Sequence, residues 1–175
     1  MNHPILSEND LISINYWISN LEHQRISNKK TRLKVVTQAK NSLNFDYKYI
    51  GSGRSRIVFD LGVGFVLKIA ISYNGINGNE REFNYYTQSP EDLRKHLCPV
   101  EDYSHGWIIM KKIEPPLQKD EKYNKQVLEV EKKFIRYGIY PGDIWRDKGL
   151  PRYENLSVSD EGEIIVIDYG NFRQG

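Results

Sequence analysis

The sequence has little of what marks a secreted or membrane-spanning protein. Cys98 is the single cysteine among 175 residues, so no internal disulfide can form, and its apolar neighbours in HLCPV predict a buried thiol. No run of 18 apolar residues is present, and the N-terminus MNHPILSEND lacks the charged and apolar segments of a secretory signal. These absences predict a cytoplasmic protein, which is compatible with delivery into a host cell without a cleaved signal.

The charges are also unremarkable for a soluble protein. Lys and Arg number 25 and Asp and Glu 23, giving a net charge of +2, and no long basic block occurs. We therefore expect neither nucleic acid nor a membrane surface as a partner. Hydrophobic residues make up 39% of the chain, enough for one packed unit or for two small lobes.

The first 46 residues predict a helical extension. Apolar residues recur at helical spacing at Leu11, Ile14, Ile18 and Leu21. Ser7 or Asn9 could cap this helix at its start. The polar segment that follows contains a possible second helix through Leu33, Val36 and Leu43. Neither helix carries residues that suggest chemistry.

From Tyr47 onward, short apolar runs alternate with glycine, which predicts a sheet. The runs are YKYIGSG, RIVFDLGVGFVLKIA and GWIIMKKI, and the second contains a hairpin around DLGVG. NEREFNYYTQ predicts a short helix that ends near Pro90. Residues 47–114 should therefore form an antiparallel sheet with one helix against it.

The last third of the chain predicts a helix, a loop and a hairpin. KDEKYNKQVLEVEKKFIRYG has helical periodicity and ends at Gly138 as a C-terminal cap. Its apolar residues, available for the core, are Val127, Leu128, Val130, Phe134 and Ile135. A loop over residues 140–155 follows, and a turn at Glu161 and Gly162 leads into the buried strand of EIIVID.

Two segments of the predicted sheet carry residues suited to phosphate chemistry. Gly51 and Gly53 could let backbone N–H groups approach phosphate oxygens, although a turn between strands also uses glycine. Lys68, within the apolar strand FVLKIA, either extends to solvent or is held inside by an acid. Glu82 could supply that acid; Glu80 competes with it, unless Glu80 only complements the helix dipole.

Together, the order and spacing of these segments resemble the protein-kinase-like family. GSGRSRIV resembles the loop G-x-G-x-x-G-x-V, FVLK resembles V-A-I-K, and Glu82 is similar to the acid of helix C. WIIMKKI resembles the strand and hinge behind the adenine, with Met110 as gatekeeper. IRYGIYPGDI and ENLSVSDEGEIIVIDYG resemble the catalytic loop and the D-F-G segment. The resemblance covers residues 47–172.

The resemblance implies an α+β, protein-kinase-like fold. An antiparallel-sheet N-lobe with helix C would span residues 47–114, after the N-terminal extension 1–46. A truncated, mostly helical C-lobe with the catalytic loop would span residues 115–175. Because the sequence stops soon after DYG, it looks like the minimal, constitutively active kinases that some bacteria and phages use as effectors.

The family also implies ATP and Mg²⁺ as cofactors and assigns roles to individual residues. Lys68 would orient the α and β phosphates, Glu82 would hold Lys68, and Asn155 and Asp168 would bind Mg²⁺. The cofactor contacts would further include Gly51, Ser52, Gly53, Val58, Val66, Met110 and Lys112.

The sequence departs from the family in two places that matter. Arg56 replaces the third glycine of the loop, which would make the phosphate cover stiffer and more basic. The family places its catalytic Asp five positions before the Asn, and here that position is Leu150. Asp143, which follows GIYPG, is favoured over Asp147 as the catalytic acid, while either could be an ordinary solvated loop residue.

The implied activity is that of a minimal Ser/Thr-type protein kinase, with a protein hydroxyl as acceptor and hence a protein substrate or partner. The displaced catalytic Asp keeps open a pseudokinase that works as a binding module. The segment GDIW, similar to the loop of small-molecule phosphotransferases, keeps open a small-molecule kinase.

Overall fold

A computed structural model describes residues 5–21, 26, 28–147 and 149–175. By their contacts these residues form two compact units. The first contains the described residues up to Asn79 together with Glu101–Lys112. The second contains Glu80–Val100 and Ile113–Gly175. The boundaries expected after residues 46 and 114 stay predictions.

Two helices open the first unit, as predicted. Helix α1 (Glu8–Ser19) begins at Ser7, whose hydroxyl accepts the Asp10 amide while the Asp10 carboxylate accepts the Ser7 amide. This reciprocal capping box selects Ser7 of the two predicted caps. Helix α2 (Lys29–Leu43) begins at Asn28, whose side chain accepts the Thr31 amide at 2.9 Å.

Five strands form the sheet of the first unit in the order β1-β2-β3-β5-β4. The strands are β1 (Lys48–Ser52), β2 (Arg56–Asp60), β3 (Phe65–Ala70), β4 (Val100–Ser104) and β5 (Trp107–Lys111). The hairpin around DLGVG is confirmed, with Gly62 and Gly64 at positive φ in its turn. Strand β4 was not predicted, because VEDYS is a polar edge strand without a clean apolar alternation.

The two N-terminal helices cover one face of this sheet. The buried residues of this core, from helices and strands together, are Ile14, Val35, Val36, Ala39, Leu43, Ile57, Phe59, Leu67, Ile69, Trp107 and Ile109. The indole N–H of Trp17 in α1 donates to the Ala70 carbonyl at 2.8 Å. Since side chains alternate along a strand, Val66 and Lys68 of β3 lie on the opposite face.

Helix α3 (Tyr73–Gln88) is longer than the predicted short helix from Asn79, because it begins six residues earlier. Its first turns contain Gly75, where an added Cβ would lie 2.1 Å from the Ser55 carbonyl oxygen and 3.0 Å from the Ala70 Cβ. The helix therefore needs glycine at this point for close packing, although glycine weakens helix propensity.

The second unit holds the end of α3 and the remaining helices. These are α4 (Glu91–Arg94) and α5 (Glu121–Arg136), and Gly138 follows α5 at φ 73° as the predicted cap. Val127, Val130 and Phe134 of α5 are buried as expected. Leu128 and Ile135 are exposed, so the expectation that they could serve the core is wrong; the buried stripe takes up only one face of α5.

Short strands complete the second unit. Strands β7 (Leu156–Val158) and β8 (Ile164–Val166) form the predicted hairpin, with Gly162 at φ 81° in the turn. Strand β6 (Ile139–Tyr140) pairs with β9 (Arg173–Gln174). Cys98 is buried, as predicted. None of the helices in the described part of the chain combines the length and apolar character that a membrane crossing needs.

Candidate functional site

Lys68 is buried in the middle of the sheet. It pairs with Val58 on β2 and with Ile108 on β5, and its residue surface is 6% exposed. This burial excludes the alternative in which Lys68 extends to solvent. Burying a lysine ammonium among apolar neighbours costs free energy unless polar groups compensate its charge. Polar groups are therefore expected close to the Lys68 ammonium. Its pairing with Glu82 stays a prediction.

The glycine loop joins β1 to β2 and is open above both glycines. An added Cβ at Gly51 or Gly53 would meet no atom within 4 Å, and neither residue has a positive φ. The Gly53 amide donates to the Arg56 carbonyl at 2.9 Å, which closes the turn. Gly51 also lies at a shift of register between β1 and β2, a position where glycine is common. The open space above both glycines would allow a ligand to approach the backbone closely.

Arg56, which replaces the third glycine, turns into the protein. Its guanidinium is buried and its Nη1 donates to the Asn79 Oδ1 at 3.2 Å. The group thus links β2 to the first half of α3. The sequence predicted that Arg56 would make the loop that covers the phosphates more basic. The buried position of its guanidinium, bonded to Asn79, does not support that prediction.

The hinge residues lie at the end of β5. Met110 is fully buried and pairs with Val66 on β3. The Lys112 ammonium lies 2.9 Å from the Asp60 carboxylate, and the Lys112 amide donates to the Gly64 carbonyl at 2.8 Å. The Gly62 amide and then Lys112 lower the pKa of Asp60. The cofactor contact predicted for Lys112 stays a prediction.

In the second unit, α3 holds the DYG segment by two neighbouring residues. The buried carboxylate of Glu82 accepts the Tyr169 amide at 3.1 Å. The Arg81 Nε donates to the Gly170 carbonyl at 2.6 Å. Tyr169 is itself buried, and its hydroxyl donates to the Cys98 carbonyl at 2.8 Å. The backbone on the C-terminal side of Asp168 is thereby fixed.

The two predicted metal ligands come from one hairpin. Asn155 ends a 3-10 turn (Tyr153–Asn155) just before β7, and half-buried Asp168 follows shortly after β8. The Ile167 amide donates to the Asn155 carbonyl at 2.8 Å, so Asn155 lies across from the residue that precedes Asp168. The structure therefore brings the backbones of Asn155 and Asp168 together.

Asp143 joins this group through Asn155. The Asn155 side-chain amide donates to the Asp143 carbonyl at 2.9 Å. The Asp143 carboxylate accepts a hydrogen bond from the Asn171 side-chain amide and lies 3.5 Å from the Arg152 guanidinium. Asp143 has φ 62°, a left-handed conformation that is uncommon for residues other than glycine. Residues in such strained conformations are often found at functional sites.

Asp147 and Leu150 do not take part in this cluster. Asp147 lies exposed in the turn that follows Trp145, and it makes no hydrogen bond or ion pair with the described residues. Leu150, at the family's position for the catalytic Asp, is 50% exposed. Of the two acids weighed in the sequence, the structure brings Asp143 together with Asn155.

Arg152 and Asn171 are contacts that the sequence did not reveal. Arg152 lies three positions before Asn155 in RYEN, and Asn171 directly follows DYG. Nothing in the sequence distinguishes Asn171, because its contact with Asp143 spans 28 positions.

The donor set suits a hard cation that also binds phosphate. The Asn155 side-chain nitrogen donates to the Asp143 carbonyl, so the Asn155 Oδ1 and the Asp168 carboxylate are the candidate oxygen ligands. Mg²⁺ prefers one or two protein oxygens with water and substrate phosphates. Within the described ranges, no cluster of three or more His, Cys, Asp or Glu that could hold a metal exists.

Comparison with known proteins identifies the fold. No protein-family model and no curated protein matches the sequence. A structure of the bifunctional kinase-methyltransferase WbdD is 18% identical, covering 70% of this chain and 31% of that chain with a TM-score of 0.50. A high-resolution crystal structure of WbdD is 17% identical, covering 76% of this chain and 35% of that chain with a TM-score of 0.51. A co-crystal structure of WbdD with the kinase inhibitor LY294002 is 17% identical, covering 75% of this chain and 34% of that chain with a TM-score of 0.51.

The chain has a protein-kinase-like fold. The predicted α+β class with an antiparallel sheet and helices is thereby confirmed. This chain spans about a third of the length of the WbdD structures that it matches. At these identities the likeness concerns the fold and not the activity.

A buried histidine supports the hairpin that carries Asn155. The His96 Nδ1 lies 2.9 Å from the Ile164 carbonyl and its Nε2 lies 3.4 Å from the Lys133 ammonium. These partners fit a neutral ring that donates from Nδ1 and accepts at Nε2. Burial lowers the pKa of His96, and Lys133 adds to this, although the nearby Glu163 carboxylate acts in the opposite direction.

Proposed function

We propose that this protein is an ATP- and Mg²⁺-dependent phosphotransferase, specifically a minimal Ser/Thr-type protein kinase. One observation carries the proposal: Asn155 bonds the Asp143 carbonyl through its side chain and the Ile167 amide through its backbone. Asn155, one candidate metal ligand, thus bonds the candidate base directly and bonds the residue that precedes Asp168, the other candidate ligand.

The Asn155 Oδ1 and the Asp168 carboxylate would hold Mg²⁺. When bound, this ion would neutralise charge on the phosphates of ATP during transfer. The bonds from Glu82 and Arg81 to the DYG backbone restrict the motion of the chain beside Asp168. A metal ligand held in this way loses little entropy when the ion arrives.

Lys68 and the glycine loop would bind the phosphates. The open space above Gly51 and Gly53 allows their backbone to approach an anion closely. The buried ammonium of Lys68 supplies a positive charge that a phosphate could use in a weakly screened environment. Val58, Val66 and Met110 offer apolar contacts for an adenine ring, in keeping with their predicted roles.

Asp143 would accept the proton of the acceptor hydroxyl as the hydroxyl oxygen bonds to the γ-phosphorus of ATP. The bond between that phosphorus and the β–γ bridging oxygen would break, and ADP would leave. The Asn171 amide orients the carboxylate from one side, and the Arg152 guanidinium lies near its other oxygen. The Asp143 side chain remains 37% exposed, so a hydroxyl presented by another protein could reach it. A protein acceptor and a cytoplasmic location are parts of this proposal.

The test is transfer of label from γ-labelled ATP with Mg²⁺, to the protein itself and to proteins of a cell lysate. We expect Asp168→Ala to lower transfer by more than about hundredfold, a loss of roughly 2.7 kcal/mol in transition-state stabilisation. Asp160→Ala, an exposed acid in the turn of the β7-β8 hairpin, is the matched control and should keep wild-type activity. If Asp168→Ala stays within tenfold of wild type, the metal-binding role is wrong.

A pseudokinase binding module is the second candidate, favoured by one observation. The Asp143 carboxylate is already engaged by Asn171 and Arg152, as a structural acid would be. Stabilisation by ATP and Mg²⁺ without any label transferred to protein would support this candidate. Label found on an aminoglycoside or sugar, and not on protein, would instead indicate a small-molecule kinase.

A further inference from the structure

The second unit contains a cavity apart from the cluster around Asp143. It has a volume of about 420 Å³, which lies in the range of small-molecule binding sites. The C-terminal half of α3 forms one wall, with Arg81, Asn84 and Gln88. Ser89, which directly follows α3, and Gln174 also line it, so polar residues border the cavity from two separate segments.

Ser89 places an unsatisfied polar group at this cavity. The residue is 4% exposed, and its hydroxyl is buried without a hydrogen-bond partner among the described residues. Its backbone is fully used, because its amide donates to the Tyr85 carbonyl and its carbonyl accepts the Arg94 guanidinium at 2.8 Å. A buried hydroxyl without a partner destabilises the protein, so a ligand that formed a hydrogen bond with it would remove this cost.

Arg81 gives the cavity a positive charge. Its Nε is used on the Gly170 carbonyl, whereas its two terminal nitrogens make no hydrogen bond or ion pair with the described residues. None of the described residues that line the cavity is an acid. Asp92, which lies outside the lining, accepts the hydroxyl of Tyr137 at 3.1 Å. A guanidinium in such surroundings favours an oxyanion with two acceptor oxygens.

The remaining walls are apolar. Pro90, Leu93, Ile139 and the ring of Tyr85 line them. A bare inorganic ion would leave most of this surface uncovered, because the cavity is several times larger than such an ion. The lining therefore fits a molecule with an anionic head and an apolar body.

We propose that this cavity binds a small organic anion, with a phosphate or carboxylate head at Arg81 and Ser89. The same Arg81 bonds the Gly170 carbonyl of the DYG segment, so the bound anion acts on the backbone next to Asp168. The site is then an effector site. This last step rests on the proposed function, whereas binding itself does not.

The experiment is calorimetric titration of the full chain, without nucleotide, with phenyl phosphate, benzoate and neutral benzyl alcohol. We expect saturable binding of at least one of the two anions, and binding of benzyl alcohol at least about tenfold weaker. The tighter of the two anions identifies the head group. Ser89→Ala should weaken anion binding about tenfold, and Arg81→Lys should weaken it similarly because the two-pronged contact is lost.

Two controls locate the probe. Thr87→Ala changes an exposed neighbour on α3 that does not line the cavity, and should leave the affinity within about twofold. Lys68→Met should also leave the affinity for the anion unchanged. If the probe bound at the glycine loop and not in the cavity, this substitution would abolish its binding. Ser89→Ala should unfold at the same temperature as wild type or higher, because it removes an unsatisfied hydroxyl.

The proposal is overturned by the absence of saturable anion binding in the millimolar range, by equal affinity in wild type and Ser89→Ala, or by loss of binding in Lys68→Met. The effector role is tested by the rate of phosphotransfer with and without the anion. We expect the anion to change the rate of wild type about fivefold or more and to leave the rate of Ser89→Ala unchanged. No change in wild type overturns the effector role. Failure of the proposed function would show instead as an inactive wild type, with anion binding intact.

Discussion

Replacing Tyr169 by phenylalanine converts DYG into the D-F-G sequence that it resembles, and we expect this change to destabilise the protein. The Tyr169 side chain is fully buried, and its hydroxyl donates to the Cys98 carbonyl at 2.8 Å. The ring can stay in place, with its centroid 5.9 Å from that of Phe172, and the substitution removes the hydroxyl together with this hydrogen bond. A bond of this kind contributes about 1 kcal/mol net, which corresponds to roughly 2–4 °C in Tm for a chain of this size.

The assay is urea denaturation of wild type and Tyr169→Phe, with Tyr137→Phe as the matched control. The Tyr137 hydroxyl also donates a hydrogen bond, to Asp92, but the residue is 49% exposed and water can replace the partner. We expect a lower midpoint for Tyr169→Phe and an unchanged midpoint for Tyr137→Phe. Equal midpoints for the two variants would refute the reasoning, because the buried hydroxyl would then contribute nothing.

Three further predictions concern pH, the base and the glycine loop. The free energy of unfolding should fall as the pH drops below about 6.5, since burial lowers the pKa of His96 and the unfolded chain then binds more protons. Urea denaturation across this window should show the slope in wild type and not in His96→Gln; a flat wild-type profile would contradict it. Asp143→Asn should lower kcat for phosphotransfer by about 10²–10⁴, while Asp147→Asn stays within about threefold, and the reverse order would exclude Asp143 as the base. Gly53→Ala should keep or slightly raise stability, because an added Cβ meets no atom, yet should raise the KM for ATP severalfold; an unchanged KM would remove the loop from the phosphate site.

Local signals in the sequence were sufficient for several elements. The hairpin between β2 and β3 needs two residues with positive φ, and the sequence supplies Gly62 and Gly64 there. For the start of α1 the sequence offered Ser7 or Asn9, and the reciprocal bonds between Ser7 and Asp10, three positions apart, select Ser7. In each case the determining contacts are close in sequence, so a pattern can reveal them.

Tertiary packing decided what the patterns missed. The start of α3 contains Gly75, which lowers helix propensity, so a pattern predicts no helix there. In the structure, the Ser55 carbonyl and Ala70 lie too close to admit any larger side chain. Strand β4 was missed for a related reason, because its polar residues lie at a sheet edge and need not alternate.

The candidate site shows the same limit. Family spacing indicated Asn155 and Asp168, and the hairpin of β7 and β8 does bring their backbones together. The contacts of Asp143 with Asn171 and Arg152 depend on how a loop of irregular backbone folds, and no periodic pattern encodes this. The sequence could therefore suggest Asp143 but not the groups that orient it.

The most direct test of the account is the Mg²⁺-dependent part of the affinity for ATP, measured by calorimetry in wild type and Asp168→Asn. The substitution keeps the shape of the side chain and removes the charge that would hold the ion. We predict that Mg²⁺ raises the affinity of wild type for ATP and that Asp168→Asn loses this rise while keeping its metal-free affinity. A full Mg²⁺ effect in Asp168→Asn would contradict the role of Asp168, and with it the proposed phosphotransfer site.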